Sequence, residues 1–290
     1  MKYILVTGSK GQVGSELQQL ASINYLGSFQ FIFSDADELD ICNADEVLNF
    51  FEKQRIAYCI NCAAFTAVDK AESDSENAIK VNVTGVENLA RACNIYGAKF
   101  LHISTDYVYH NHQNTPFVET DETNPQSVYG LTKLQGEQKA FEICEQTIIV
   151  RTSWVYSSFG NNFVKTMLKL GAERPELKVI FDQIGTPTYA ADLAQAMLDM
   201  IAAQESGKGP GWKGIYHYSN EGVCSWYDFA VSIFEIRDLN VKVFPIETKE
   251  YPTPARRPHF SLLNKAKIKS DFGISIPYWR DSLKKCLELL

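Results

Sequence analysis

The sequence predicts an α/β protein built on a doubly wound parallel sheet, and three observations carry that prediction. Short continuous apolar runs, of the kind buried on both faces of a parallel sheet, recur through roughly the first 150 residues. Amphipathic helical stretches alternate with them through short connections. The first run also passes directly into a glycine cluster that opens a helix. Right-handed crossovers then leave few topologies.

In chain order, Lys2-Tyr3-Ile4-Leu5-Val6 reads as the first strand, and a helix follows from about Val13 to Ala21. Phe29 to Phe33 is the second strand, ending at Ser34-Asp35-Ala36-Asp37, with a helix over Asp45 to Gln54. Tyr58 to Ala64 is the third strand. Helical spacing of Ile79, Val81, Val83, Val86, Leu89 and Ala90 covers 74–96, and Phe100 to Ser104 is the fourth strand. Beyond Arg151 the rhythm loosens. Helices fit at 161–171, 189–204, 225–236 and 278–289, and short strands near 147–150, 177–181, 214–218 and 241–246. The Gly/Pro clusters at 207–211 and 252–258 are loop material.

Composition bounds the function. The 290 residues carry 28 Lys+Arg against 35 Asp+Glu, a net charge of −7 without a basic stripe, so no nucleic-acid partner is expected. Hydrophobic residues at 45% are globular usage, which excludes a disordered or fibrous chain. Seven irregularly spaced cysteines suit a reducing compartment. No apolar run approaches the ~20 residues of a membrane span, and the N-terminal apolar stretch is too short for a signal peptide. A soluble cytoplasmic protein with no membrane partner is the expectation.

Two constellations carry chemistry. Gly8, Gly11 and Gly14 lie between a strand and a helix, with Asp35 at the end of the second strand. Glycine lets the backbone turn and approach a pyrophosphate whose charge sits on the helix N-terminus, which is the dinucleotide-binding arrangement of a Rossmann-type sheet. The carboxylate of Asp35 suits an adenosine ribose 2′-OH and hence NADH, whereas Lys10 could meet the 2′-phosphate of NADPH; the cofactor choice stays open. Asp40-Ile41 follows in a loop, where the carboxylate either bonds the adenine amino group or caps the next helix. In the second constellation, Tyr129 and Lys133 share a helix face at i and i+4. A lysine ammonium beside a phenol lowers its pKa and suits it to exchange a proton with a reacting oxygen. Thr105 ends the fourth strand, where its hydroxyl either bonds a substrate carbonyl or caps the next turn. Cys59 and Cys62 have redox spacing but lie in an apolar strand with their thiols on opposite faces. His110 and His112 lack a third ligand for zinc. With no GxSxG, HExxH or P-loop, hydrolase and kinase chemistry lose their usual starting points.

With these residues in hand the chain resembles the extended short-chain dehydrogenase/reductases and, among them, the dTDP-4-dehydrorhamnose reductase family. The distinctive blocks are Asn61–Glu72, Ser104–Tyr109, Val128–Lys133, Arg151–Tyr156 with Gly160–Phe163, and Tyr251–Pro258. The resemblance implies NADPH or NADH contacts at Gly11, Gln12, Val13, Asp35, Asp40, Ile41, Ala64, Phe65, Thr66, Tyr129 and Lys133, to which Gly8 and Gly14 of the glycine cluster and the neighbouring Ala63 are added as expected cofactor contacts. It implies a dTDP-sugar substrate held by Thr105, Asp106, Trp154 and Arg257, with Arg256 an equally basic neighbour, and catalysis by Tyr129, Lys133 and Thr105. The implied organisation is an NAD(P)-binding domain over 1–155, completed by part of 186–220, and a mainly sugar-nucleotide domain over 156–290. Phe65 replaces a histidine common in the family, and Cys62 an alanine. Some members bind Mg²⁺ between subunits of a homodimer; Glu16 could serve here, without a clear second carboxylate. Dehydratases of the superfamily carry Asp-Glu after the threonine, whereas Asp106 is followed by Tyr107. A 4-epimerase, or a non-catalytic subunit similar to the regulatory subunit of methionine adenosyltransferase, remains as a rival.

Overall fold

The computed structural model describes residues 2–23, 27 and 29–290. The first half runs β1 (Lys2–Thr7), α1 (Gln12–Ala21), β2 (Phe29–Ser34), α2 (Ala44–Lys53) and β3 (Ile56–Asn61). It continues through α3 (Val68–Ala71), α4 (Ser75–Ile79), α5 (Val86–Tyr96), β4 (Lys99–Thr105), α6 (Val128–Ile143) and β5 (Thr147–Thr152). The second half holds β6 (Val155–Tyr156), α7 (Phe163–Glu173), β7 (Glu176–Ile180), β8 (Ile184–Gly185), β9 (Thr188–Tyr189) and α8 (Ala190–Glu205). Then follow β10 (Gly214–Tyr218), β11 (Cys224–Ser225), α9 (Trp226–Ile236), β12 (Lys242–Ile246), α10 (Ala266–Phe272) and α11 (Trp279–Leu287).

Six strands form one sheet in the order β10-β5-β4-β3-β1-β2, every pair parallel. Successive residues of a strand face opposite sides, and each side has its own core. Ile4, Val6, Tyr58, Ile60, Leu101, Ile148 and Val150 pack against α1, α8 and α10. Leu5, Cys59, Phe100 and Ile149 pack on the other side against α2, α5 and α6. That two-sided burial is why the strands read as unbroken apolar runs. A third cluster joins α7, α9 and α11 with β7 and β12, two strands that pair parallel outside the main sheet.

Three local features depart from the sequence pattern. β3 stops at Asn61 rather than running to Ala64, because the Asn61 carboxamide takes the Ala63 N–H at 3.0 Å and turns the chain out of the ladder. The helix expected over 74–96 is present but not uniform: α4 passes through a π-helical turn over Lys80–Gly85 into α5. The α10 helix, with Lys267 and Lys269 among its seven residues, lacks an apolar period long enough to announce it.

Candidate active site

Every residue singled out for cofactor, catalysis or sugar, except Arg257, lines one cavity of about 850 Å³ at the carboxyl ends of the strands. That position, beside the crossover between β1 and β3, is where open α/β sheets hold ligands. The volume is that of a small-molecule site.

The chain leaves β1 at Gly8, whose φ of +67° lies in the left-handed region that glycine enters freely. A Cβ on Gly8 would sit 2.5 Å from the Ala63 nitrogen, and one on Gly14 only 2.4 Å from the Gly8 carbonyl oxygen. α1 begins after Gly11 with no side-chain cap and no acidic residue in its first turn. Its first N–H groups and positive dipole end are thus left to a ligand, and Gly11, Gln12, Val13 and Gly14 line the cavity. This cradle fits a dinucleotide pyrophosphate.

At the end of β2 the Lys10 N–H donates to Asp35 Oδ2 at 2.9 Å. The Lys10 ammonium instead reaches the exposed carboxylate of Asp37 at 2.6 Å. One cation and two carboxylates, those of Asp35 and Asp37, therefore stand together where the adenosine ribose would lie. Asp40 accepts from the Cys42 N–H at 2.9 Å, and the cap of α2 is Asn43, so the capping alternative for Asp40 falls. Asn88 fixes the Ile41 carbonyl at 2.9 Å. Ala63, Ala64, Phe65 and Thr66 form the opposite wall. They are clamped by Asn82 from the π-helical turn, which accepts from the Phe65 N–H at 2.8 Å and donates to the Phe65 carbonyl and to Thr132.

Thr105, Tyr129 and Lys133 converge on this cavity from β4 and α6. Ser127 caps α6 by accepting from the Gly130 N–H at 3.1 Å. The Thr105 hydroxyl caps the turn that follows it, accepting from the Tyr107 N–H at 3.2 Å, and the residue lines the cavity as well. The Tyr129 ring packs edge-on against Tyr107, 5.5 Å between centroids. The expectation that Lys133 lowers the Tyr129 pKa is corrected here. Burial pushes the phenol up to about 12, offset in part by a hydrogen bond with Thr105, while nearby Asp106 adds to the rise. Lys133 Nζ instead donates to the Ile103 carbonyl at 2.7 Å and lies 3.1 Å from His102 Nε2. Desolvation dominates, and it leaves Tyr129 protonated at neutral pH, which is the state a proton donor needs.

On the sugar side, Asp106 is buried and its carboxyl is pushed up to about 6 by burial, with Thr105 donating to Oδ1 at 3.1 Å. Trp154 has a positive φ of 49°, strained for so large a residue, and stacks on Trp226 at 3.7 Å. One ring of this pair lines the first cavity and the other a second cavity of about 1040 Å³. Arg257 belongs to that second cavity rather than the first, holding Asp69 through two bonds of 3.1 and 2.7 Å. Arg256 is exposed, so the two neighbours are not equivalent. Glu16 does not fit a shared divalent ion: it is 2% exposed and accepts from Ser157 at 2.6 Å within its own chain. Among the described residues no group of three or more His, Cys, Asp or Glu could hold a metal. Asn61, Asn82 and His102 escaped the sequence reading; the only signal was a polar residue inside an otherwise apolar period.

The whole chain, residues 1–290, matches the family model described as the RmlD substrate binding domain. The dTDP-4-dehydrorhamnose reductase of Escherichia coli (strain K12) is 43% identical over 298 residues, spanning 99% of this chain and 97% of that one. The crystal structure of a dTDP-4-dehydrorhamnose reductase from Clostridium acetobutylicum ATCC 824 superposes with a TM-score of 0.93 at 43% identity, covering 100% of this chain and 99% of that one. The enzyme of the same name from Bacillus anthracis str. Ames, in complex with NADP, gives a TM-score of 0.93 at 36% identity with 100% of both chains covered. On fold, site and similarity together, the chain belongs to the dTDP-4-dehydrorhamnose reductase family.

Proposed function

We propose that this protein reduces the 4-keto group of dTDP-4-dehydro-β-L-rhamnose to dTDP-β-L-rhamnose with NADPH or NADH, the last step of dTDP-rhamnose synthesis. The observation that carries it is the convergence of Thr105, Tyr129 and Lys133 on the cavity that begins at the glycine cradle. The rim of that cavity offers both a 2′-OH partner, Asp35, and a 2′-phosphate partner, Lys10, which supports either cofactor. Tyr107 stands where a dehydratase needs its second carboxylate, and packs on Tyr129, which favours a reductase over elimination chemistry.

Bound in this cavity, the reduced nicotinamide supplies the hydride delivered to C4. Lys133 holds the nicotinamide ribose. Thr105 and Tyr129 hydrogen-bond the keto oxygen, orienting the carbonyl, and Tyr129 gives its proton to that oxygen as charge develops on it. Asp106 and Trp154 hold the sugar ring. Arg257, with the aromatic side chains of Phe163, Trp226, Phe244 and Tyr251 around the second cavity, takes the nucleoside diphosphate end. Residues 1–155, with 186–220 adding α8 and β10, form the cofactor half of this proposal, and 156–290 mainly the sugar-nucleotide half. Seven cysteines, none in a disulfide, suit the cytoplasm, and no described helix is long and apolar enough to cross a membrane.

Absorbance of the reduced nicotinamide tests this reading. Consumption that needs both the sugar nucleotide and Tyr129 supports the reductase. Binding of NADPH and NADH without consumption of either sinks it in favour of an epimerase or a regulatory binding subunit.

A further inference from the structure

From Lys133 in the cavity wall a hydrogen-bonded row runs back through His102 and Asn61 to Thr7, and none of the four side chains is more than 2% exposed. The direction of each bond follows from one end. The Ala63 backbone N–H can only donate, and it reaches Asn61 Oδ1 at 3.0 Å; the Thr7 hydroxyl donates to the same oxygen at 2.7 Å. The carboxamide is therefore oriented with Nδ2 toward the histidine, and Asn61 Nδ2 donates to His102 Nδ1 at 2.9 Å. A ring nitrogen that accepts carries no proton. Burial, the larger cause, holds His102 well below its ordinary pKa, so the ring is neutral and its single proton sits on Nε2. That N–H faces Lys133 Nζ at 3.1 Å.

An ammonium at Lys133 would meet this N–H with one of its own, and the site is too buried for water to intervene. A neutral amine accepts the ring N–H with its lone pair and still donates to the Ile103 carbonyl at 2.7 Å. We propose that His102, oriented by Asn61, is a positioning residue for Lys133: it presents a ring N–H rather than a lone pair and so favours the amine over the ammonium. The proposal deepens the reductase reading and rests on it for the role of Lys133. The other groups around Lys133 do not reverse the effect. Glu137, one turn further along α6, favours the ammonium, but its carboxylate is taken by Arg151 through bonds of 3.0 and 2.6 Å. The Cys62 thiol is pushed up by burial and stays uncharged, as does the Tyr129 phenol one turn earlier. Desolvation acts in the same direction as His102, bringing Lys133 down to about 8.

The test is the tautomer of His102, read by long-range ¹H–¹⁵N NMR of histidine-labelled full-length protein without ligand at pH 9. His102→Gln, which lacks the signal, assigns it. The wild-type ring is expected to carry its proton on Nε2. In Asn61→Asp, where an oxygen replaces the donor facing Nδ1, the proton is expected on Nδ1. The pH profile of kcat is the second readout. Its alkaline limb, where the Lys133 ammonium is lost, is expected to move up by about one pH unit or more in both variants, since each gives the ammonium an acceptor. A wild-type ring protonated on Nδ1 overturns the proposal. So does activity that falls equally at every pH with the limb unmoved, which is what a merely structural histidine would produce. The NMR experiment needs no substrate, so failure of the reductase reading and failure of this one are separately visible.

Discussion

Replacing Gly14 by alanine sets two effects of known sign against each other. Gly14 lies in the first turns of α1, where alanine is favoured over glycine by about 1 kcal/mol of helix propensity. The added Cβ, however, would stand 2.4 Å from the Gly8 carbonyl oxygen and 2.6 Å from the Ser9 Cα, atoms of the backbone rather than a side chain that could swing away. Real Cβ contacts stay above 3.0 Å, so the Gly8–Ser9 strand-to-helix turn must retreat by at least about 0.6 Å. Overpacking of this kind costs about 1–3 kcal/mol, which leaves a net loss of roughly 0–2 kcal/mol in stability. The functional cost is larger. The same backbone presents the N–H groups of the pyrophosphate cradle, and a misplacement of about half an ångström exceeds the tolerance of a preorganised site. Losing one charge-assisted bond worth about 1.5–3 kcal/mol corresponds to a rise of roughly 10- to 100-fold in the Kd for NADPH. Tryptophan-fluorescence titration with NADPH, alongside thermal unfolding, measures both. Gly11→Ala is the comparison for stability alone, because its Cβ would meet the Gly8 oxygen at 3.2 Å rather than 2.4 Å and so costs less. The reasoning is refuted by a Gly14→Ala protein that binds NADPH as the wild type does and melts higher.

Tyr129→Phe is expected to lower kcat by about 10²–10⁴-fold, measured by steady-state kinetics; full turnover would remove Tyr129 from the mechanism. Arg151→Met strands the buried Glu137 carboxylate, whose partner it was through a 2.6 Å bond, and denaturant unfolding should show a loss of about 3–5 kcal/mol. Asp106 is held up to about 6 against an ordinary 3.8, so the folded chain binds a proton that the unfolded chain has released. The resulting penalty is absent below about pH 4 and complete above about pH 6. Asp106→Asn is therefore expected to gain about 3 kcal/mol relative to wild type between pH 4 and pH 7. A pH-independent difference between the two unfolding free energies would refute that assignment.

The main sheet was readable because its strands are buried on both faces and connect through helices with clear periods. Ile4 and Val6 face one core and Leu5 the other, which left the apolar run unbroken. The glycine cradle and the Tyr129–Lys133 pair were readable because each is local, set by spacing along one turn or one helix. What was illegible depends on partners distant in sequence. The π-helical turn places Asn82 against Phe65 and Thr132, residues 17 and 50 positions away, and no helical periodicity announces it. Lys133 was expected to act on Tyr129, but β4 supplies His102 and the Ile103 carbonyl, which engage its Nζ instead. Arg257 was placed on the sugar side, yet only the fold shows that it pairs with Asp69, 188 residues earlier, and belongs to a second cavity.

The central claim is that this site delivers hydride to C4 of the sugar while Tyr129 protonates the oxygen. The most direct measurement uses NADPH deuterated at the transferring C4 position, dTDP-4-dehydro-β-L-rhamnose, and NMR of the isolated product. The account predicts one deuterium at C4 of the product sugar, in step with cofactor oxidised and slowed with turnover in Tyr129→Phe. An unlabelled product, or a sugar changed in configuration while the added cofactor stays reduced, would contradict it.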